Sequence, residues 1–257
     1  MTTMLARPAP SASRTLAAGI GVAWALALTA EVVGGAGALG HDRLLDGGGF
    51  SAPVAAALFL ATWQVMVAAM MLPSSVPMVR LFEAVSAGQD RPGRAMAAFV
   101  GGYAVVWTAF GSAAFVADAA VHAAVERISW LAGRPSLVTA GVLALAGGFQ
   151  FSGLKDSCLR TCRHSAAFLL PRYRRGAPAA FRLGREHGLF CVGCCWALML
   201  LAFAVGVANL AWMATLAALM AYEKIGRHGQ RLVRPVGWAL LASAAVVAAG
   251  PGAFVLY

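Results

Sequence analysis

The sequence predicts an all-α protein, a polytopic bundle of about seven transmembrane helices with its N-terminus in the cytoplasm. Three observations predict this fold class. Hydrophobic residues make up 60% of the 257-residue chain and charged residues only 12%, whereas soluble domains carry roughly 25% charged residues. Several apolar runs reach the roughly 20 residues that a helix needs to cross a bilayer. Basic residues are also unevenly distributed among the segments that connect those runs.

Five apolar runs are each long enough for one span, and they cover residues 16–38, 53–72, 95–117, 136–154 and 235–257. Residues 1–15 are polar, with Pro and Ser, and are expected to form a disordered cytoplasmic tail. The first run exceeds the usual apolar core of a signal peptide, so we interpret it as a retained helix. A cleaved signal is the alternative, because "AGA" at 36–38 resembles a cleavage site. Residues 16–257 then form a single integral membrane domain.

A sixth apolar run, residues 189–222, is too long for one untilted helix and is predicted to be a hairpin of two short spans. With this hairpin, every Lys and Arg except Arg43, Arg127 and Arg134 lies in a cytoplasmic segment, as the positive-inside rule expects. The net charge of +10 therefore reflects membrane topology. No stacked aromatics or nucleic-acid-binding module accompany the arginines, so we predict a lipid bilayer and no nucleic acid as partner.

Two connecting segments have a pattern of their own. Residues 118–133 look amphipathic, which predicts a helix lying on the outer membrane surface. Residues 155–187 are the longest polar segment, and within it "FLLPRY" and "PAAFRLGREHG" are predicted to rest on the inner interface. Within the second span, Pro73 and Pro77 interrupt the backbone hydrogen bonds of a helix, and Ser74 and Ser75 are available to bond the freed carbonyls.

Sulfur-containing residues and histidines gather in three clusters. On a helix, residues three or four apart share one face. The segment "EHGLFCVGCC" follows this spacing, as do "DSCLRTCRH" and "WQVMVAAMMLPSSVPM". Because spans two and four end at the cytoplasmic side and span five begins there, we expect all three clusters at one membrane level. The candidate ligands are Cys158, Cys162, His187, Cys191, Cys194, Cys195, Met70 and Met71.

This set of side chains predicts a metal site. Thiolate and thioether ligands select soft ions, above all Cu(I). Zinc is the alternative, because Cys and His also suit a tetrahedral zinc site, but zinc has little use for methionine. Packing alone is a further interpretation, since free Cys and Met are common in apolar cores. A structural disulfide is disfavoured, because the cytoplasmic side is reducing.

The same segments carry a family resemblance. The residues "MVAAMMLPSSVPM", "CLRTCRH", "FRLGREHGLFCVGCCWALMLLAFAVGVANLAWMA" and "YEK" resemble a bacterial family of uncharacterised integral membrane proteins, labelled predicted metal-binding proteins or copper chaperones. The resemblance covers residues 63–224. It implies copper binding at the eight candidate ligands, a bacterial inner-membrane location, and a protein that receives or donates the metal.

Two other functions stay open at this point. Cys191 and Cys194 form a C-x2-C pair at the start of a helix, as in a membrane thiol–disulfide oxidoreductase. A copper transporter is the second alternative, for which Met199, Met213 and Met220 are the candidates beyond the cytoplasmic cluster. We rank metal binding and delivery first, transport second and redox exchange third, and therefore expect a protein that is not an enzyme.

Overall fold

The computed structural model describes residues 12–33, 51–134, 136–204 and 209–250. All regular secondary structure in these ranges is helical, which confirms the all-α fold class. The helices are α1 (Ala12–Val32), α2 (Ala52–Ser86), α3 (Pro92–Arg127), α4 (Ser129–Ala132), α5 (Ser136–Phe149), α6 (Gly153–Arg163), α7 (Ser165–Arg172), α8 (Ala177–Ala204), α9 (Leu210–Ile225) and α10 (Gly229–Ala249).

Four of these helices are long and apolar enough to cross a membrane: α1, α2, α3 and α10. A fifth span is present if α5 and α6, which meet at an angle of 64°, count as one broken span. The predicted number of about seven spans is therefore not confirmed. The fourth predicted span, 136–154, ends as a helix at Phe149, and Ser152 caps the next helix by accepting a hydrogen bond from the Lys155 amide at 3.1 Å.

The run 189–222 divides into two helices. Helix α8 ends at Ala204 and α9 begins at Leu210, where the Asn209 side chain accepts a hydrogen bond from the Trp212 amide at 3.0 Å. Residues 205–208, at the predicted turn, lie outside the described residues. Helix α8 already begins at Ala177, so it takes up part of the segment predicted to be a polar inner loop.

Residues 118–133 do not form the separate surface helix that their pattern predicts. Helix α3 continues through Arg127, and only Ser129–Ala132 form a helix of their own. The physical reason is the alanine-rich composition of this segment, because alanine has the highest helix propensity and nothing in the segment interrupts the hydrogen bonding. The third apolar run and the amphipathic segment are thus largely one 36-residue helix.

Helix α2 runs through both of its prolines. The Ser74 hydroxyl donates a hydrogen bond to the Met71 carbonyl at 2.8 Å, which is the role predicted for serines beside a proline. Ser75 instead faces α8, where its hydroxyl lies 3.4 Å from Nε2 of His187. Ser74 therefore bonds to its own helix, whereas Ser75 contacts α8.

Small residues bring the central helices together. An added Cβ at Gly102 of α3 would collide with the Phe181 backbone of α8, and one at Gly184 of α8 would collide with the Phe99 backbone of α3. Such small-residue contacts let helix backbones approach closely. Between α2 and α3, the Trp63 indole donates a hydrogen bond to the Trp107 carbonyl at 2.9 Å.

The outer surface is strongly apolar. Large hydrophobic side chains are exposed along several helices, among them Val22, Leu26, Val105, Val116, Trp238 and Val246. Long apolar helices with such an exterior are compatible with membrane insertion. The interior at the meeting point of α2, α3, α6, α8 and α9 contains the sulfur-rich residues.

Candidate metal centre

Side chains from the three predicted clusters meet in the interior. Helix α2 contributes Met71, α6 contributes Cys162, and α8 contributes Cys191, Cys194 and Cys195. The three cysteines of α8 are each 1% exposed and Met71 is 0% exposed. All five cysteines are free thiols. Side chains from α2, α6 and α8 therefore meet at one place in the interior.

Two pairs of sulfur atoms bridge different helices. Sγ of Cys162 lies 4.0 Å from Sγ of Cys194, and Sγ of Cys195 lies 3.7 Å from Sδ of Met71. Two sulfur ligands bound at about 2.3 Å to one tetrahedral ion lie about 3.8 Å apart. The observed separations are ordinary nonbonded contacts between sulfur atoms, and each pair is already close enough to share an ion.

The α8 thiols are also held by their own helix. The thiols of Cys194 and Cys195 donate to the Cys191 carbonyl at 3.1 and 2.9 Å. These spacings of three and four residues are the local bonds that a short polar side chain makes in a helix. Because these are weak hydrogen bonds, both thiols can rotate toward an ion without breaking the backbone of the helix.

A buried lysine lies against the sulfur atoms. Lys224 of α9 is only 5% exposed. Its Nζ lies 3.0 Å from Sγ of Cys191, and the same ammonium donates to the Ser74 hydroxyl at 3.2 Å. It also lies 3.8 Å from Sδ of Met71 and 3.9 Å from Sγ of Cys195.

A second buried lysine forms an ion pair beside the cluster. Nζ of Lys155 lies 2.7 Å from Oε2 of Glu223, with both side chains at most 2% exposed. Arg163 holds the end of α9, since its guanidinium donates to the Glu223 carbonyl at 2.5 Å and to the Gly226 carbonyl at 2.8 Å. Within the described part of the chain, Oε1 of Glu223 has no hydrogen-bond partner.

His187 lies beside the sulfur atoms among aromatic rings. Its ring stacks against Tyr103 at a centroid distance of 5.5 Å and against Phe99 at 6.1 Å. The Tyr103 hydroxyl and Sγ of Cys191 are hydrogen-bonded at 3.2 Å. The structure therefore connects His187 to the thiols through Tyr103.

Cys158 and Met70 belong to the same core as the α8 cysteines. Cys158 is buried against Gly193, where a Cβ would come within 2.6 Å of its Sγ. Met70 is fully buried. Across the described ranges, no three His, Cys, Asp or Glu side chains are arranged as a ready-made metal site. The arrangement offers pairs of soft sulfur atoms and a nearby cation.

Several polar residues at this centre escaped the sequence reasoning. The sequence predicts Lys155 and Lys224 in cytoplasmic segments with the arginines, whereas both are buried in the structure. Tyr103 and Glu223 were given no role. Two features of the sequence point to these residues. Glu223 and Lys224 lie in the segment "YEK" that shares the family resemblance, and Lys155 and Lys224 are the only lysines of the chain.

Comparison with known proteins gives one match. The sequence profile of the family PpoB2, described as a copper chaperone, matches residues 60–247. No curated protein and no solved structure matches the chain. The matched region begins in α2, ends in α10 and contains every cysteine of the chain.

Proposed function

The chain belongs to the PpoB2 copper chaperone family, and we propose that it is an integral membrane protein that binds Cu(I) at the buried sulfur cluster and delivers it to a partner protein. One observation carries the proposal. Four cysteine thiols and a methionine thioether from three helices meet in a closed interior. Copper here is cargo, which the protein receives and releases.

The ligand chemistry favours Cu(I) over other ions. Soft thiolate and thioether ligands suit Cu(I), and this ion needs fewer ligands than the four of a structural zinc site. Cys162 with Cys194 is one candidate pair, and Cys195 with Met71 is the other. Cys191, which contacts Tyr103 and Lys224, lies on the same helix. Zinc stays the competing ion.

The remaining predicted ligands lie around these two sulfur pairs. Cys158, Met70 and His187 lie in or beside the same core. We assign them to an entry or exit path, because spare soft ligands let an ion move between neighbouring positions without entering water. Replacement of Met70 by Leu keeps the side-chain volume and is expected to leave the fold intact. Loss of its thioether should slow metal transfer if Met70 belongs to the path.

The proposed location is the inner (plasma) membrane of a bacterium, as the family resemblance implies. The apolar exterior supports insertion, and the distribution of arginines favours a position of the cluster near the cytoplasmic face. Copper would then be received or released on that side. The partner would be a protein that presents its own soft ligands.

Metal analysis of the purified protein tests the proposal. The reduced wild-type protein is expected to retain copper, with sulfur ligation visible in X-ray absorption spectra. The double substitution Cys194→Ser and Cys195→Ser removes one thiol from each candidate pair. It should abolish tight binding, because hydroxyls are hard ligands and poor substitutes for thiolates. Met213→Leu removes a buried sulfur of α9 from outside the sulfur pairs and serves as control. Undiminished copper stoichiometry and affinity in the double variant would contradict the proposed site.

Rapid alkylation distinguishes copper binding from redox exchange. Ligands in a reducing compartment are expected to be reduced or metal-protected when cells are lysed in the presence of an alkylating reagent. All five cysteines should then appear either alkylated or shielded by metal. A stoichiometric disulfide between Cys191 and Cys194 in cells would favour a thiol–disulfide oxidoreductase instead.

A further inference from the structure

We propose that Lys224 sets the charge selectivity of the metal site, so that a monovalent soft ion is bound in preference to a divalent one. The inference rests on the proposed function, because it concerns the same sulfur cluster. Lys224 is not among the predicted ligands. Its charge gives a second reason for the choice of ion, in addition to the softness of the ligands.

The first step is the identity of the groups around the ammonium. Three of the four atoms that Nζ of Lys224 contacts are sulfur, in Cys191, Cys195 and Met71, and the fourth is the Ser74 hydroxyl. In the described part of the chain no carboxylate lies within ion-pair distance of this lysine. The anionic groups that can balance its charge are therefore cysteine thiolates.

The second step is the neighbouring ion pair. Glu223 precedes Lys224 in the chain, but its carboxylate pairs with Lys155 at 2.7 Å. These two opposite charges compensate each other in the interior. Lys224 thus leaves one positive charge inside the protein, which must be balanced by the metal centre.

The third step is the charge of the loaded centre. A Cu(I) ion bound by the thiolates of Cys191 and Cys195, the two cysteines that Lys224 contacts, has a net charge of −1, which the ammonium of Lys224 neutralises. A divalent ion bound by the same two thiolates is neutral, and with Lys224 the interior then keeps a net charge of +1. Because an uncompensated charge is costly to bury, Lys224 disfavours the divalent ion. The positive ammonium also repels a divalent ion more strongly than a monovalent one.

Competition between Cu(I) and Zn(II) tests this inference on the full chain in detergent under reducing, anaerobic conditions. Lys224→Gln removes the charge and keeps a hydrogen-bond donor, whereas methionine would add a soft ligand. Removal of a unit charge a few Å from the ion should lower the preference for Cu(I) over Zn(II) by at least about tenfold. Lys224→Arg keeps the charge and should retain the preference. Arg231→Gln removes an exposed charge, which solvent screens, and serves as control.

The ratio of the two dissociation constants is measured within one preparation, so partial unfolding lowers both stoichiometries without changing the ratio. Lys224→Leu provides a second neutral variant if glutamine disturbs the packing. An unchanged ratio in both neutral variants, with Cu(I) still bound by the wild type, would overturn the inference about Lys224 and leave the proposed function standing. A wild type that binds no Cu(I) would overturn the proposed function. An equal change of the ratio in Arg231→Gln would show that the net charge of the protein, and not the position of Lys224, causes the effect. That result would also overturn the inference.

Discussion

Cys158 and Gly193 occupy one shared space between α6 and α8. A Cβ at residue 193 would lie 2.6 Å from Sγ of Cys158. We therefore expect Gly193→Ala to destabilise the protein by about 1–3 kcal/mol, the usual cost of overpacking. Thermal unfolding in detergent measures this loss. The double variant Gly193→Ala with Cys158→Ala makes room for the methyl group, and a double variant no more stable than the single Gly193→Ala would contradict the shared-space interpretation.

The ion pair between Lys155 and Glu223 supports a second prediction at this scale. Lys155→Met leaves the Glu223 carboxylate buried without its counter-charge, which is expected to cost about 3–5 kcal/mol of stability. The double variant Lys155→Met with Glu223→Leu replaces the pair by apolar side chains and should recover most of that loss. Chemical unfolding of the three proteins gives the comparison. Equal stability of wild type and the single variant would show that the pair is not buried as described.

The contrast between the cysteines and the lysines shows how far residue-level prediction reaches. The spacing of Cys191, Cys194 and Cys195 predicts that they lie together on one helix, as they do in α8, because helical spacing is a local property. Lys224 was missed because a lysine near the end of an apolar run normally extends its amine to the interface. Its contact with the sulfur atoms depends on how α9 packs against α2 and α8, which no local pattern encodes.

At the scale of elements, the contact between α3 and α8 depends on glycine. Gly102 faces the backbone of Phe181 and Arg185, whereas Gly101 has nothing within 4 Å of an added Cβ. Gly102→Ala is expected to force the two helices apart and to lower stability by about 1–3 kcal/mol or more. Thermal unfolding followed by circular dichroism in detergent measures the change.

The adjacent glycine is a matched control. Gly101→Ala adds the same methyl group to the same helix, but into open space, and should be neutral or stabilising by up to about 1 kcal/mol, because alanine has the higher helix propensity. Equal destabilisation by both substitutions would show that the effect comes from the helix itself and that the α3–α8 contact is not the cause.

Helix type was easier to predict than helix limits. The apolar runs identified the central helices because burial in lipid or protein demands long hydrophobic segments. The limits failed where a change of polarity was taken as the end of a helix, as at residues 118–133. Helix α3 continues there, since backbone hydrogen bonding and alanine propensity are indifferent to whether the outer face meets lipid or water.

At the scale of the whole molecule, the distribution of basic residues predicts orientation. Burial of Lys155 and Lys224 removes them from the set of loop charges, but the arginines alone keep the same asymmetry. A reporter fused after Tyr257 should lie outside the cytoplasm, and one inserted after Arg175, between α7 and α8, should lie inside. Reporter activity in intact cells measures both positions. Detection of both on the same side would rule out the seven-span hairpin topology.

Because both lysines are buried, reagents that acylate lysine side chains should react only weakly with the folded protein. Lys155 is 0% and Lys224 5% exposed, and the chain contains no other lysine. Acylating reagents that modify lysines on most protein surfaces therefore find none accessible while the fold is closed. Any acylation at residue 224 records a moment when the interior opens to solvent. Covalent footprinting by mass spectrometry would thus time the opening through which the proposed copper ion enters or leaves.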